Sequence, residues 1–278
     1  MFNDHDIEAA LHIVKEVAAT EIMPRFRRLG TSDIAEKKSS IDLVTDADIK
    51  AERAITDALL RRWPGALIVG EEACETNPEA IGGLKDAELA FVIDPVDGTF
   101  NFAAGLPIFG TNLAVTSRGE TVAGLIHEPM IGDTLVAVKG AGAKMVRADR
   151  DVEAIEVASV VSLSEMVGTI SVNNLPFQER SRISGNLAAT RMAFAYNCSA
   201  YEYWMVATGK VHFIGHHALM PWDHLAGVLI HQEAGGVTAR FDGSPYLPGN
   251  TTGGILSAPD RESWQMILDH VIAPSRAL

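Results

Sequence analysis

Asp94-Pro95-Val96-Asp97-Gly98-Thr99-Phe100-Asn101-Phe102 follows directly on the apolar run Leu89 to Ile93. The apolar residues read as a strand buried on both faces, so two carboxylates three residues apart fall at its end. Pro95 is expected to stop the strand, and Gly98 to supply an unusual backbone angle or to let a ligand approach closely. A helical turn starting at Thr99 would offer the N–H groups of Gly98 and Thr99 to an anion beside the acids. Asp-Gly alone is an ordinary turn dipeptide. The whole nine-residue run instead fits a site where Mg²⁺ screens the carboxylates and backbone donors hold phosphate.

Leu67-Ile68-Val69 is a second buried strand ending in acid, Gly70-Glu71-Glu72. Paired acids are more often a solvated loop, and it is the strand-end position that marks Glu71 as a ligand. Ahead of it, Ile7, Leu11, Val14, Ala18 and Ile22 recur at helical intervals up to Pro24. Arg25 to Ile41 reads as a loop or hairpin. Thr45 to Arg62 reads as a helix opened by Thr45 and Asp48 at capping-box spacing. Asp48 can therefore act as a cap and still face a cleft.

After Asp97, strand-like runs cover Thr111 to Thr116, Thr121 to His127 and Asp133 to Val138, and Gly140 to Val146 closes the meander. The charged stretch Arg147 to Glu156 is the expected seam between an N-terminal half, 1–150, carrying most metal ligands, and a C-terminal half, 151–278. The second half reads as strands at Gly168 to Val172, Val211 to Ile214, Val237 to Phe241 and Ile255 to Ala258. Helices are expected at Ser199 to Thr208, Asp223 to Ala234 and Glu262 to Ile272. This alternation predicts a layered α/β fold with a cleft between the halves.

Composition narrows the function. With 47% hydrophobic and 21% charged residues, the 278-residue chain has the balance of an ordered globular protein. A formal charge of −13 with no basic stripe argues against a general nucleic-acid binder, and would repel a phosphorylated metabolite unless a metal inverts the local field. Two cysteines, Cys74 and Cys198, make no disulfide framework. The acidic, amphipathic first residues differ from a signal peptide, and the apolar runs fall short of a membrane span. A cytoplasmic protein is expected.

Four elements carry a family resemblance. Asp94 to Phe102 resembles the DPxDGTxNF signature of the inositol monophosphatase family, and Gly70-Glu71-Glu72 its GEE element. Asp42-Leu43-Val44-Thr45-Asp46-Ala47-Asp48 is similar to its DLVTxxD element, and Pro221-Trp222-Asp223-His224-Leu225-Ala226-Gly227 to its WDxAAG element. They occur in family order.

The resemblance implies an α-β-α-β-α five-layer sandwich of the inositol monophosphatase and fructose-1,6-bisphosphatase type, usually dimeric and often Li⁺-sensitive. It implies a Mg²⁺-dependent phosphoric monoester hydrolase acting on a small phosphorylated metabolite, with two or three ions for which Mn²⁺ can substitute. Glu71, Asp94 and the Val96 carbonyl would hold one ion. Asp94, bridging, with Asp97 and Asp223 would hold a second, and Glu71 would reach a third through water. Thr99, hydrogen-bonded to Asp48, would orient and help deprotonate the attacking water. Asp97, Gly98 and Thr99 would also face the substrate.

Cys198-Ser199-Ala200 falls where the resemblance implies a helix N-terminus near the substrate, so Ser199 is either an alcohol contact or a buried cap. His216 stands where inositol-selective members carry a glutamate. It either reads a different alcohol or sits on the surface. Met192, Phe194, Trp204 and Met205 read as core. Inositol 1-phosphate is the first substrate implied; histidinol phosphate, fructose 1,6-bisphosphate and a 3′-phosphonucleotide are alternatives, as is a binding role in transcription or RNA processing.

Overall fold

The computed structural model describes residues 2–30, 33–39, 42–173 and 175–273. Helix α1 (Asp4–Val17) continues as a wider turn to Ile22, and a hairpin of β1 (Ile34–Ser39) and β2 (Asp42–Thr45) follows. Of the loop or hairpin expected over Arg25 to Ile41, the structure shows a hairpin, with its second strand beyond Ile41; residues 40–41 lie outside the described residues. Thr45 then caps helix α2 (Asp46–Arg62).

Next come β3 (Leu67–Gly70), α3 (Glu71–Thr76), the short α4 (Ala80–Gly83), β4 (Ala90–Asp97) and α5 (Thr99–Ala103). A meander follows: β5 (Gly110–Ser117), β6 (Glu120–His127), β7 (Thr134–Val138), β8 (Ala143–Val146) and β9 (Val152–Ala154). These seven strands, β3 to β9, form one sheet in sequence order, antiparallel except for the parallel β3–β4 pair. The charged seam around residues 147–156 therefore contributes an edge strand to the first sheet.

The remaining elements are β10 (Val167–Ile170), α6 (Phe177–Asn186), β11 (Met192–Ala193), α7 (Ser199–Ala207), β12 (Phe213–His216), α8 (Pro221–Glu233), β13 (Val237–Arg240), β14 (Ile255–Ala258) and α9 (Arg261–Ile267). They build a five-stranded sheet ordered β11-β10-β12-β14-β13. Helix α6 and edge strand β11 have no counterpart in the sequence reading. Met192, expected in the core, lies 55% exposed on β11.

Side-chain alternation along the strands separates three cores. Phe91, Ile93, Leu113, Val115, Leu125 and Val136 face α1 and α2. Their neighbours Val92, Ala114, Ile126 and Leu135 face the opposite way, onto α7, α8 and one side of the second sheet. Phe213, Leu256 and Ala258 on that sheet's far side pack against Ile183 of α6 and Trp264 of α9. Period-two alternation on sheets buried on both faces thus produces helix, sheet, helix, sheet, helix in five layers. The middle layer positions the site, because α7 and α8 are held between both sheets and aim their N-termini at the end of β4.

Candidate active site

Strand β4 carries the first ligand candidates, and its local geometry corrects the expectation at Pro95. The strand does not stop there but runs to Asp97. Asp94 pairs with Asn112 and Asp97 with Gly110, so three steps on β4 match two on β5. Such a bulge tolerates a proline, which has no N–H to give the ladder. It has a chemical consequence. In a regular strand, residues three apart point to opposite faces; the extra residue cancels that, and Asp94 and Asp97 share one site with Asp223. Oxygen atoms of these three side chains lie within 4.8 Å of one another.

Asp223 arrives from α8, where Pro221 is the first residue and Asp223 the third. It belongs to the first helical turn and is not the N-cap, which is Met220. Asp94 and Asp97 are buried, and Asp223 is half-buried.

Burial, with the charges of Glu71 and Asp97 added, raises the Asp94 and Asp223 carboxyls well above the ordinary range, and burial raises Asp97 despite four donors on it. A buried cluster that must take up protons to relieve its own repulsion suits a divalent cation. Clustered hard carboxylate oxygens are donors that Mg²⁺ prefers. The buried Asn112 adds a side-chain oxygen with no partner beside Asp97.

Glu71 opens α3 at the end of β3, parallel to and beside β4. Its Oε1 accepts from Lys37 Nζ at 2.9 Å, and Glu72 Oε1 accepts from the same ammonium at 2.7 Å. Burial lowers the affinity of Lys37 for its proton, but the two glutamates outweigh that and hold it charged. Glu71 is itself raised by burial, with Lys37 opposing. Lys37 sits in the hairpin segment that the sequence reading left without a role. Glu52, equally unforeseen, accepts from the N–H groups of Glu72 and Ala73.

Asp48 caps α2 and also reaches the start of α5. Its Oδ2 accepts from Thr45 N at 2.9 Å and from Thr45 Oγ1 at 2.5 Å. Its Oδ1 accepts from Thr99 Oγ1 at 3.1 Å, joining α2 to the start of α5. Burial pushes Asp48 up to about 7, against the hydrogen bonds from Thr45 and Thr99. The Val96 carbonyl lies 3.1 Å from the same Thr99 hydroxyl. Gly98 takes φ +90°, and a Cβ there would meet the Ile108 carbonyl oxygen at 2.8 Å. This chain reversal lets the helical turn begin at Thr99, as the sequence predicts.

Ser199 is the first residue of α7 and serves Asp97. Its Oγ donates to Asp97 Oδ2 at 2.6 Å and its N–H to Oδ1 at 3.1 Å, while Ala200 N and Asn112 Nδ2 also donate to Oδ2. Asp97 is thereby tied to the N-terminus of α7 across more than a hundred residues.

His216 corrects the surface alternative: it ends β12, 7% exposed, because that strand runs two residues further than expected. Its Nε2 lies 3.5 Å from Glu202 Oε2, its ring stacks at 5.9 Å on Tyr203, and the His224 ring is 4.7 Å away. Burial lowers His216 well below its usual value and pushes Glu202 up to about 8. His224 must donate from Nε2 to the Ala218 carbonyl at 2.9 Å, so its Nδ1 accepts from Tyr203 Oη at 3.3 Å. Glu202 and Tyr203 escaped sequence reading because they look like ordinary positions on an apolar helix.

No helix among the described residues is long and apolar enough to cross a membrane. Comparison with known proteins agrees with the geometry. A Thermotoga maritima fructose-1,6-bisphosphatase/inositol-1-monophosphatase is 34% identical over 215 residues, 77% of this chain and 78% of that protein. The Nus factor SuhB of Escherichia coli is 31% identical over 229 residues, 79% of this chain and 80% of that one. Among solved structures, Thermotoga maritima IMPase superposes with a TM-score of 0.79 at 27% identity, covering 96% of this chain and 95% of that one. An inositol monophosphatase from Zymomonas mobilis gives 0.77 at 26%, covering 97% and 99%. A sequence model described as the inositol monophosphatase family matches residues 3–275. With that match running through all four acidic elements, the chain belongs to the inositol monophosphatase family.

Proposed function

We propose that the protein is a Mg²⁺-dependent phosphomonoesterase acting on a small phosphorylated metabolite, with inositol 1-phosphate the first candidate substrate. The observation that carries this reading is the meeting of Asp94, Asp97 and Asp223 within 4.8 Å, next to the Asp48–Thr99 pair. Glu71, Asp94, Asp97, Asp223 and the Val96 carbonyl would hold the ions. Bound there, Mg²⁺ would supply Lewis-acid activation of water and stabilisation of charge on the phosphoryl and leaving oxygens.

The chain's own part is to move a proton and hold the substrate. Thr99 Oγ1 gives its hydrogen to Asp48 and turns a lone pair toward water; Asp48, at about 7, can accept a proton at neutral pH. Gly98 and the start of α5 offer N–H groups to phosphate oxygens. Ser199 keeps Asp97 in one orientation. No side-chain nucleophile is required.

The test is phosphate release from inositol 1-phosphate, histidinol phosphate, fructose 1,6-bisphosphate and a 3′-phosphonucleotide, with and without Mg²⁺, in the parent and in Asp94→Asn. Release that needs Mg²⁺ and vanishes in the variant is expected. Release unchanged in Asp94→Asn would remove the reading. The SuhB relatives favour a second possibility, a binding role in transcription. A parent without hydrolytic activity on any monoester, but retained by a transcription complex, would put that role first.

A further inference from the structure

We propose that Glu52 is a positioning residue for the metal centre: its carboxylate fixes the turn bearing Glu71 and thereby sets the affinity of that turn for a divalent cation. The inference rests on reading Glu71 as a metal ligand.

Helix α3 begins at Glu71, and its N-cap, Gly70, has no side chain with which to cap it. The first N–H groups of a helix need outside acceptors. Glu52 provides them from the neighbouring helix α2: Oε2 accepts from Glu72 N at 2.7 Å and Oε1 from Ala73 N at 2.9 Å. Glu52 stands one helical turn after Asp48 on the same buried face, between Ala51 and Ile55, and is 6% exposed. One face of α2 therefore sends Asp48 to Thr99 and Glu52 to the Glu71 turn.

Gly70 shows how closely the parts are fitted. A Cβ there would lie 2.3 Å from the Glu52 carboxyl carbon and 2.5 Å from Oε2. Glycine at this position is needed for the approach of Glu52, since the backbone itself is extended, at φ −105°. The buried carboxylate stays in place although it adds negative charge beside Glu71, and burial raises it despite the two N–H donors. A cap alone could be had more cheaply from a Ser, Thr or Asp at position 70. What Glu52 adds is a bidentate, rigid hold on the backbone on either side of Glu72, one residue from the ligand. Partners of this outer kind change metal affinity by about ten- to a hundredfold when lost.

The experiment measures Mn²⁺ binding to the substrate-free protein by calorimetry and electron paramagnetic resonance, in the parent, Glu52→Gln and Gly70→Ala. Glu52→Gln keeps the shape but turns an amide N–H₂ against a backbone N–H. Gly70→Ala displaces the carboxylate and leaves every charge in place. Both are expected to weaken Mn²⁺ binding about tenfold or more. Both should raise the Mg²⁺ needed for half-maximal phosphatase activity, with the substrate KM at saturating Mg²⁺ changed less than twofold.

Folded variants, judged by melting in EDTA, that bind Mn²⁺ as the parent does would reduce Glu52 to a helix cap and overturn the proposal. Loss of the fold in both would do the same, placing Glu52 in stability. A parent that binds no Mn²⁺ would instead remove the metal reading itself, which separates the two failures.

Discussion

Replacing Asp94 with Asn should make the metal-free protein more stable while abolishing its response to Mg²⁺. Asp94 is 2% exposed, and its oxygens lie within 4.8 Å of those of Asp97 and Asp223. At that distance and an effective dielectric near 20, one pair of like charges costs about 3 kcal/mol. The exchange is nearly isosteric, and the Asn oxygen can keep the 3.1 Å hydrogen bond from Val96 N. Part of the repulsion is already relieved by protonation, so the net gain should be roughly 2 kcal/mol, or on the order of 5 °C in melting temperature. Melts in excess EDTA and in excess Mg²⁺ at neutral pH measure both effects. The parent should gain from Mg²⁺ and overtake the variant, whose melting should barely move. A folded Asp94→Asn protein less stable than the parent in EDTA would refute the reasoning, because the carboxylate would then be held by favourable contacts and not endured for the sake of a cation.

Three further outcomes follow from neighbouring contacts. Thr99→Ala removes the hydroxyl 3.1 Å from Asp48 and should lower kcat on the order of a hundredfold with a much smaller change in KM; a change mainly in KM would make Thr99 a substrate contact. Lys37→Met takes the ammonium from Glu71 and Glu72, so the rise in melting temperature from EDTA to Mg²⁺ should exceed that of the parent, and an equal rise would show that lysine and metal do not compete. In EDTA, stability should fall as pH rises from about 4 to 7. Asp48 titrates at about 7 when folded against 3.8 unfolded, so the folded state holds the proton longer. Its stabilising contribution is full below the unfolded value and lost as pH climbs through the folded one, on the order of 4 kcal/mol for this group alone. Flat urea-derived stability across that window would contradict the burial of Asp48 as a strained acid.

The features that were legible beforehand depend on near neighbours. The cap between Thr45 and Asp48 spans three residues, the reversal at Gly98 requires one glycine, and the order of strands and helices follows from periodicities of two and 3.6. The acids at strand and helix starts were visible for the same reason. The effect of Pro95 depends on the strand beside it: the β5 ladder absorbs an extra residue, and only that pairing brings Asp94 and Asp97 to one face.

Lys37, Glu52, Asn112 and Glu202 carried no local signal. Their importance comes from partners 15 to 35 residues away in the case of Lys37, Glu52 and Asn112, or from burial against His216 in the case of Glu202. Sequence alone leaves His216 open between an alcohol contact and the surface, and it is the reach of β12 to position 216 that buries it.

By itself, then, the order of residues determined which acids exist, which elements carry them and which family they belong to, since these rest on short-range stereochemistry and motif spacing. The tertiary structure alone decided how the charges are balanced: which lysine neutralises Glu71, which helix start holds Asp97, which carboxylate braces the turn at Gly70. Electrostatic interactions depend on distance and burial in three dimensions, and no one-dimensional spacing contains either.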